Sequence, residues 1–100
     1  MEGYHKLVRD KIPAHLDAKG IPYEKTIADL EEFRRRLLEK LNEEVKEFQE
    51  AKIPEELADV IEVIEALKKL PEFKNVEEIR KHKLAEKGGF EDRIILKGEK

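Results

Sequence analysis

Four carboxylates in the middle of this chain are spaced to share one chemical task. Glu44 and Glu47 form one i, i+3 pair, Glu56 and Asp59 form another, and the Ile53-Pro54 break lies between the pairs. Residues three apart on a helix lie on one face, so each pair aims two acids at a single region. Two helices folded back across the break would bring all four acids together. Carboxylates gathered inside a helical bundle repel one another unless a cation lies between them, and hard oxygen ligands suit Mg²⁺ or Mn²⁺. With 24 acidic residues in the chain, such pairs also arise by chance on solvated faces. What favours a metal site is that all four acids fall on or beside apolar faces and that the pairs flank one break.

The helices that carry these acids are legible from periodicity. Leu30, Phe33, Leu37, Leu41, Val45 and Phe48 form one stripe over about residues 30–51, with Leu38 widening it. Taking about 100° per residue from Leu41, Glu44 falls roughly 60° to one side and Glu47 roughly 120°, with Lys40 between them. Glu43 falls at about 160° and is expected in water. Asp29, or Thr26 slightly earlier, is the expected cap. Pro54 opens the next helix, where Leu57, Val60, Ile61, Val63, Ile64 and Leu67 make a face wide enough for more than one neighbour. Glu56 points between Val60 and Val63, inside that face, and Asp59 lies at its edge, whereas Glu62 and Glu65 face outward. A carboxylate directed into an apolar face is costly unless paired or bound to metal.

On either side of this centre the pattern is weaker. Basic residues crowd the start (His5, Lys6, Arg9, Lys11), and Pro13 to Gly20 reads as a short helix. The basic lead-in is read either as a solvated face or as an arm that reaches phosphate. Residues 22–27 alternate as a short strand. A helix over residues 76–87 is expected to turn Val76, Ile79 and Leu84 inward and to place Arg80, Lys83 and Lys87 on one face. After Gly88-Gly89, residues 92–97 read as a terminal strand that pairs with 22–27. The expected fold is therefore mainly α, a single-domain helical bundle with a small β element.

Composition removes several alternatives. The chain of 100 residues has no cysteine and no serine, which excludes disulfides, zinc–thiolate sites and thiol or serine nucleophiles. His5, His15 and His82 have no ligand spacing, and no P-loop is present. A net charge of −3 argues against nonspecific nucleic-acid binding. No apolar run approaches the roughly 18 residues that span a membrane, and no signal-peptide pattern is visible, so a soluble cytoplasmic protein is expected. The remaining chemistry is metal-assisted hydrolysis of a phosphorylated substrate, with lysines and arginines holding phosphates.

Three segments carry a family likeness: YHKLVRDKIP at 4–13, the acid pairs within EEVKE and EELADVIEVI, and KLAEKGGFEDRIIL at 83–96. In these the chain resembles the MazG-like, all-α nucleoside triphosphate pyrophosphohydrolases, especially the small phosphoribosyl-ATP pyrophosphohydrolase-like group. The resemblance implies a Mg²⁺-dependent enzyme that cleaves a nucleoside triphosphate to the monophosphate and pyrophosphate, in house-cleaning of non-standard nucleotides. It implies a homodimer or homotetramer, with Glu44, Glu47, Glu56 and Asp59 as metal-binding acids. One of these, Glu44, would also help activate water. Lys6, Arg9 and Lys11, which lie in the family's N-terminal signature, and Arg80 and Lys83 are expected phosphate contacts. The gap of eight residues between the acid pairs is at the short end or below what larger MazG proteins show, which bears on substrate choice. A phosphoribosyl-ATP pyrophosphohydrolase of histidine biosynthesis and a helical interaction module without activity are the rival readings.

Overall fold

The helices form where the apolar period and the capping residues place them. The computed structural model of the chain describes residues 5–99 and contains α1 (Ile12–Ala18), α2 (Leu30–Ala51), α3 (Pro54–Lys68) and α4 (Val76–Lys87), with a 3₁₀ turn at Pro71–Phe73. The chain divides into two compact units, Met1–Leu67 and Lys68–Lys100.

In the first unit, Pro13 lies in the first turn of α1, and Gly20 follows the helix with φ of 68°. Asp29 caps α2 by accepting from the Glu32 N–H at 2.9 Å, an interaction worth ~1 kcal/mol. Glu31 and Glu32 lie in the same first turn, where the helix dipole favours negative charge. The α2 helix ends where the proline requires it. Lys52 turns into the left-handed region (φ 55°) and its N–H donates to the Phe48 carbonyl at 2.7 Å, after which Pro54 starts α3. Only residues 52 and 53 separate the helices, the short link of a helical hairpin. Leu37, Val60 and Val63 are its buried apolar residues, and the remainder of the α2 stripe is half-buried except Leu30 and Leu38.

In the second unit Leu70 is buried, and α4 ends at Gly88, whose positive φ of 79° suits glycine. Two expectations are corrected here. Val76, Ile79 and Leu84 are not inward but 38–47% exposed. No strand exists among the described residues, so the β element over 22–27 and 92–97 is absent. Alternating β-branched residues encode a strand only when a partner backbone and a surface to cover are present. Here Ile27, Ile94, Ile95 and Leu96 stand 74–91% exposed, with no face buried to hold a ladder.

Candidate metal centre

The hairpin places three of the four acids around one point. One carboxylate oxygen from each of Glu44, Glu56 and Asp59 lies within 4.8 Å of the others. Glu44 comes from the middle of α2 and is buried at 7% exposure; Glu56 and Asp59 come from the first turns of α3 and are half-buried. Two oxygens at this site, Glu44 Oε2 and Glu56 Oε2, are buried and have no hydrogen-bond partner among the described residues. A buried acceptor left unmade costs about 1–3 kcal/mol, more when charged. Two such oxygens in a three-acid cluster therefore fit the donor set of a hard divalent cation.

Glu47 lies beside this trio without being one of its three clustered ligands. It is exposed, one turn along α2 from Glu44, and its carboxyl is held above the ordinary range. The charge of Glu44 is the main cause, followed by desolvation, proton sharing with Glu44 and the charges of Glu43 and Glu56. Glu47 thus belongs to the same field of negative charge without joining the cluster itself.

Cations from the chain compensate part of this charge. Lys40 Nζ lies 3.2 Å from Glu44 Oε1 and 3.7 Å from Glu43 Oε1. Glu43, expected in water, is instead half-buried and also pairs with Lys6 at 3.7 Å. Arg9 donates to Asp59 Oδ1 at 2.7 Å. So two of the expected phosphate contacts, Lys6 and Arg9, engage acids at or beside the cluster. Lys11 precedes α1 and is exposed. Arg80 and Lys83 lie on α4 in the second unit, both exposed, and Arg80 is bound to Glu77.

The roles of Lys40 and Arg36 were missed by acid-centred sequence reasoning. Lys40 is legible afterwards, because its i, i+4 spacing to Glu44 is the standard helical pair. Arg36 pairs with Glu32 at 3.3 Å and holds the N-terminal segment by donating to the His5 carbonyl at 3.1 Å. Nothing local in the sequence announces that second contact.

Beside the cluster lies a cleft of about 730 Å³, formed by the N-terminal segment, α1, residues 23–28 and the start of α2. Phe33, Tyr23, Lys6, Arg9 and Arg36 line it, whereas none of the four acids does. Arg9 and Lys6 belong to both places, since each lines the cleft and touches an acid. The Tyr23 hydroxyl donates to Asp17 Oδ1 at 2.8 Å, and this bond raises the phenol's pKa. In the second unit a recess of about 300 Å³ surrounds the Gly88-Gly89 turn.

Comparison with protein-family models, with curated proteins and with solved structures gives no match. No helix among the described residues is long and apolar enough to cross a membrane.

Proposed function

We propose that this chain is a divalent-cation-dependent nucleotide pyrophosphohydrolase, using Mg²⁺ or Mn²⁺ to convert a nucleoside triphosphate to its monophosphate and pyrophosphate. The observation that carries the reading is the pair of buried, unpartnered oxygens, Glu44 Oε2 and Glu56 Oε2, beside Asp59. The motif resemblance supplies the substrate class and the house-cleaning role.

Glu44, Glu56 and Asp59 would hold the cation. When bound, it supplies charge neutralisation for phosphate oxygens and acidifies a coordinated water. Glu44, the acid expected to help activate water, is buried and bound to Lys40, so Glu47, solvent-exposed beside the trio, is the acid best placed to accept a proton from the attacking water. Lys6 and Arg9, at the seam between the cleft and the acids, are suited to draw phosphates toward the cluster. Arg36, Phe33 and Tyr23 would then meet the nucleoside end.

The working unit is proposed to be a homodimer or homotetramer. Leu57, Ile61 and Ile64 on α3 and Leu38 on α2 are 41–55% exposed, which leaves the apolar face of the hairpin only partly covered. A second copy would cover it. Sedimentation should show an oligomer that Ile61→Asp converts to a monomer; a monomeric wild type would contradict this part.

Pyrophosphate release from ordinary, oxidised, deaminated and methylated triphosphates and from phosphoribosyl-ATP, with Mg²⁺ or with EDTA, tests the activity. Mg²⁺-dependent release with a preferred triphosphate is expected. Turnover of phosphoribosyl-ATP alone would reassign the substrate, and no turnover by folded protein would overturn the enzyme reading.

A further inference from the structure

The N-terminal segment is pinned along the hairpin by three cation contacts. Arg36 holds His5 through its carbonyl at 3.1 Å, with Nη2 also 3.2 Å from the ring Nδ1. Lys6 reaches Glu43 at 3.7 Å, and Arg9 reaches Asp59 at 2.7 Å. The last contact joins residues 50 apart in sequence and ends on one of the three clustered acids. Lys40 treats Glu44 in the same manner from within α2.

The two contacts differ in what a cation must do to enter. Lys40 lies on the same helix as Glu44 and takes Oε1, leaving Oε2 buried and without a partner among the described residues. Arg9 takes the Asp59 oxygen from outside, and both side chains are about half-exposed (56% and 42%). A guanidinium and a hard divalent cation both seek the carboxylate lone pairs. The exposed pair is the weaker of the two to break, because solvent screens it.

We propose that Arg9 is a displaceable stand-in for the cation: metal and Arg9 exclude one another at Asp59, and metal uptake releases Arg9 into the cleft. The inference rests on the metal-site reading above and adds an order of events to it. Without the cation, Arg9 offsets one acid and is not available to phosphate. With the cation bound, the same guanidinium is a positioning group at the cleft wall. Metal and phosphate binding are thereby coupled through one side chain.

Calorimetric titration of Mn²⁺ into wild type, Arg9→Gln, Arg9→Lys, Arg35→Gln and Glu44→Gln separates the possibilities. Arg9→Gln should bind Mn²⁺ roughly three- to fivefold tighter, because a part-exposed ion pair no longer has to be broken. Arg9→Lys should stay near wild type. Arg35→Gln removes the same charge about 13 Å of helix from Glu44, beyond a screening length of about 8 Å, and should change little. Glu44→Gln should lose binding. As a readout of the exchange itself, the Arg9 Nε–H resonance should move to that of a solvated arginine on Mg²⁺ addition.

Equal or weaker Mn²⁺ binding by Arg9→Gln, with Glu44→Gln still defective, would overturn the exchange while leaving the metal site standing. An Arg9 resonance unmoved by saturating Mg²⁺ would overturn it equally. Failure of both wild type and Arg9→Gln to bind would overturn the site and the exchange together.

Discussion

Two acidic places in this molecule receive opposite treatment from their own chain. On α4, Glu77 is half-buried and fully answered: Arg80 donates to it through Nε at 3.0 Å and through Nη2, and Lys68 lies 3.4 Å away. Its carboxyl is pulled down to about 2, first by the Arg80 hydrogen bond and then by the charges of Arg80 and Lys68. Glu77 in turn raises the pKa of Arg80. On the α2–α3 hairpin the balance runs the other way. Glu44, Glu56 and Asp59 crowd together, with Lys40 and Arg9 answering only part of their charge, and Glu47 beside them holds its proton more tightly than usual. A salt bridge completed by side chains leaves no room for a ligand. A cluster that the chain leaves incomplete, with buried oxygens unpartnered, has the electrostatic form of a binding site.

The largest expected effect breaks the incomplete side of this contrast. Glu56→Gln removes a ligand, and because loss of even an outer-shell partner costs about 10–100-fold in metal affinity or activity, Mg²⁺-dependent pyrophosphate release should fall by at least that factor. Glu77→Gln should leave the rate unchanged. Equal loss in both variants, measured on folded protein, would erase the distinction.

Thermal stability sharpens it. A cation at a hundredfold excess over its Kd adds about 2.7 kcal/mol when it binds only the folded state. Mg²⁺ should therefore raise the Tm of wild type and of Glu77→Gln by several degrees, and that of Glu56→Gln very little.

Acid reads out the completed side. Glu77 has a folded pKa below its ordinary value of 4.5, so its contribution to stability is fully present above pH 4.5 and fades as pH falls toward 2. Arg80→Ala should flatten that part of the profile at low salt. Salt should also weaken it in wild type, since the pair is part-exposed. An unchanged acid limb in Arg80→Ala would show that the bridge contributes nothing in solution.

The smallest effect compares the two acids directly in metal-free protein at neutral pH. Glu47→Gln relieves repulsion from Glu44 and should raise the Tm by about 1–3 °C, whereas Glu77→Gln should lower it. Shifts of the same sign would contradict the opposite environments described above.

How much of this was legible in the sequence follows from how local each signal is. The α2 stripe, the Asp29 cap and the Ile53-Pro54 break are patterns within a few turns, and the helices lie where those patterns put them. The burial of Glu56 Oε2 is likewise readable from the wheel, which puts Glu56 inside the apolar sector. Glu43 is half-buried where the wheel puts it in water, because a wheel drawn for one helix omits the N-terminal segment that brings Lys6. The Arg9–Asp59 contact spans 50 residues and has no periodicity to betray it. Residues 22–27 and 92–97 show the converse error. Their alternation reports a capacity to pair, but a strand is a relation between two backbones, and neither segment forms one here.

The most direct test of the central claim is an anomalous difference map from crystals grown with Mn²⁺. A peak ligated by Glu44, Glu56 and Asp59, with Arg9 moved off Asp59, is the expected result. Mn²⁺ found only elsewhere on the surface, with Arg9 still on Asp59 and Lys40 still on Glu44, would contradict the account.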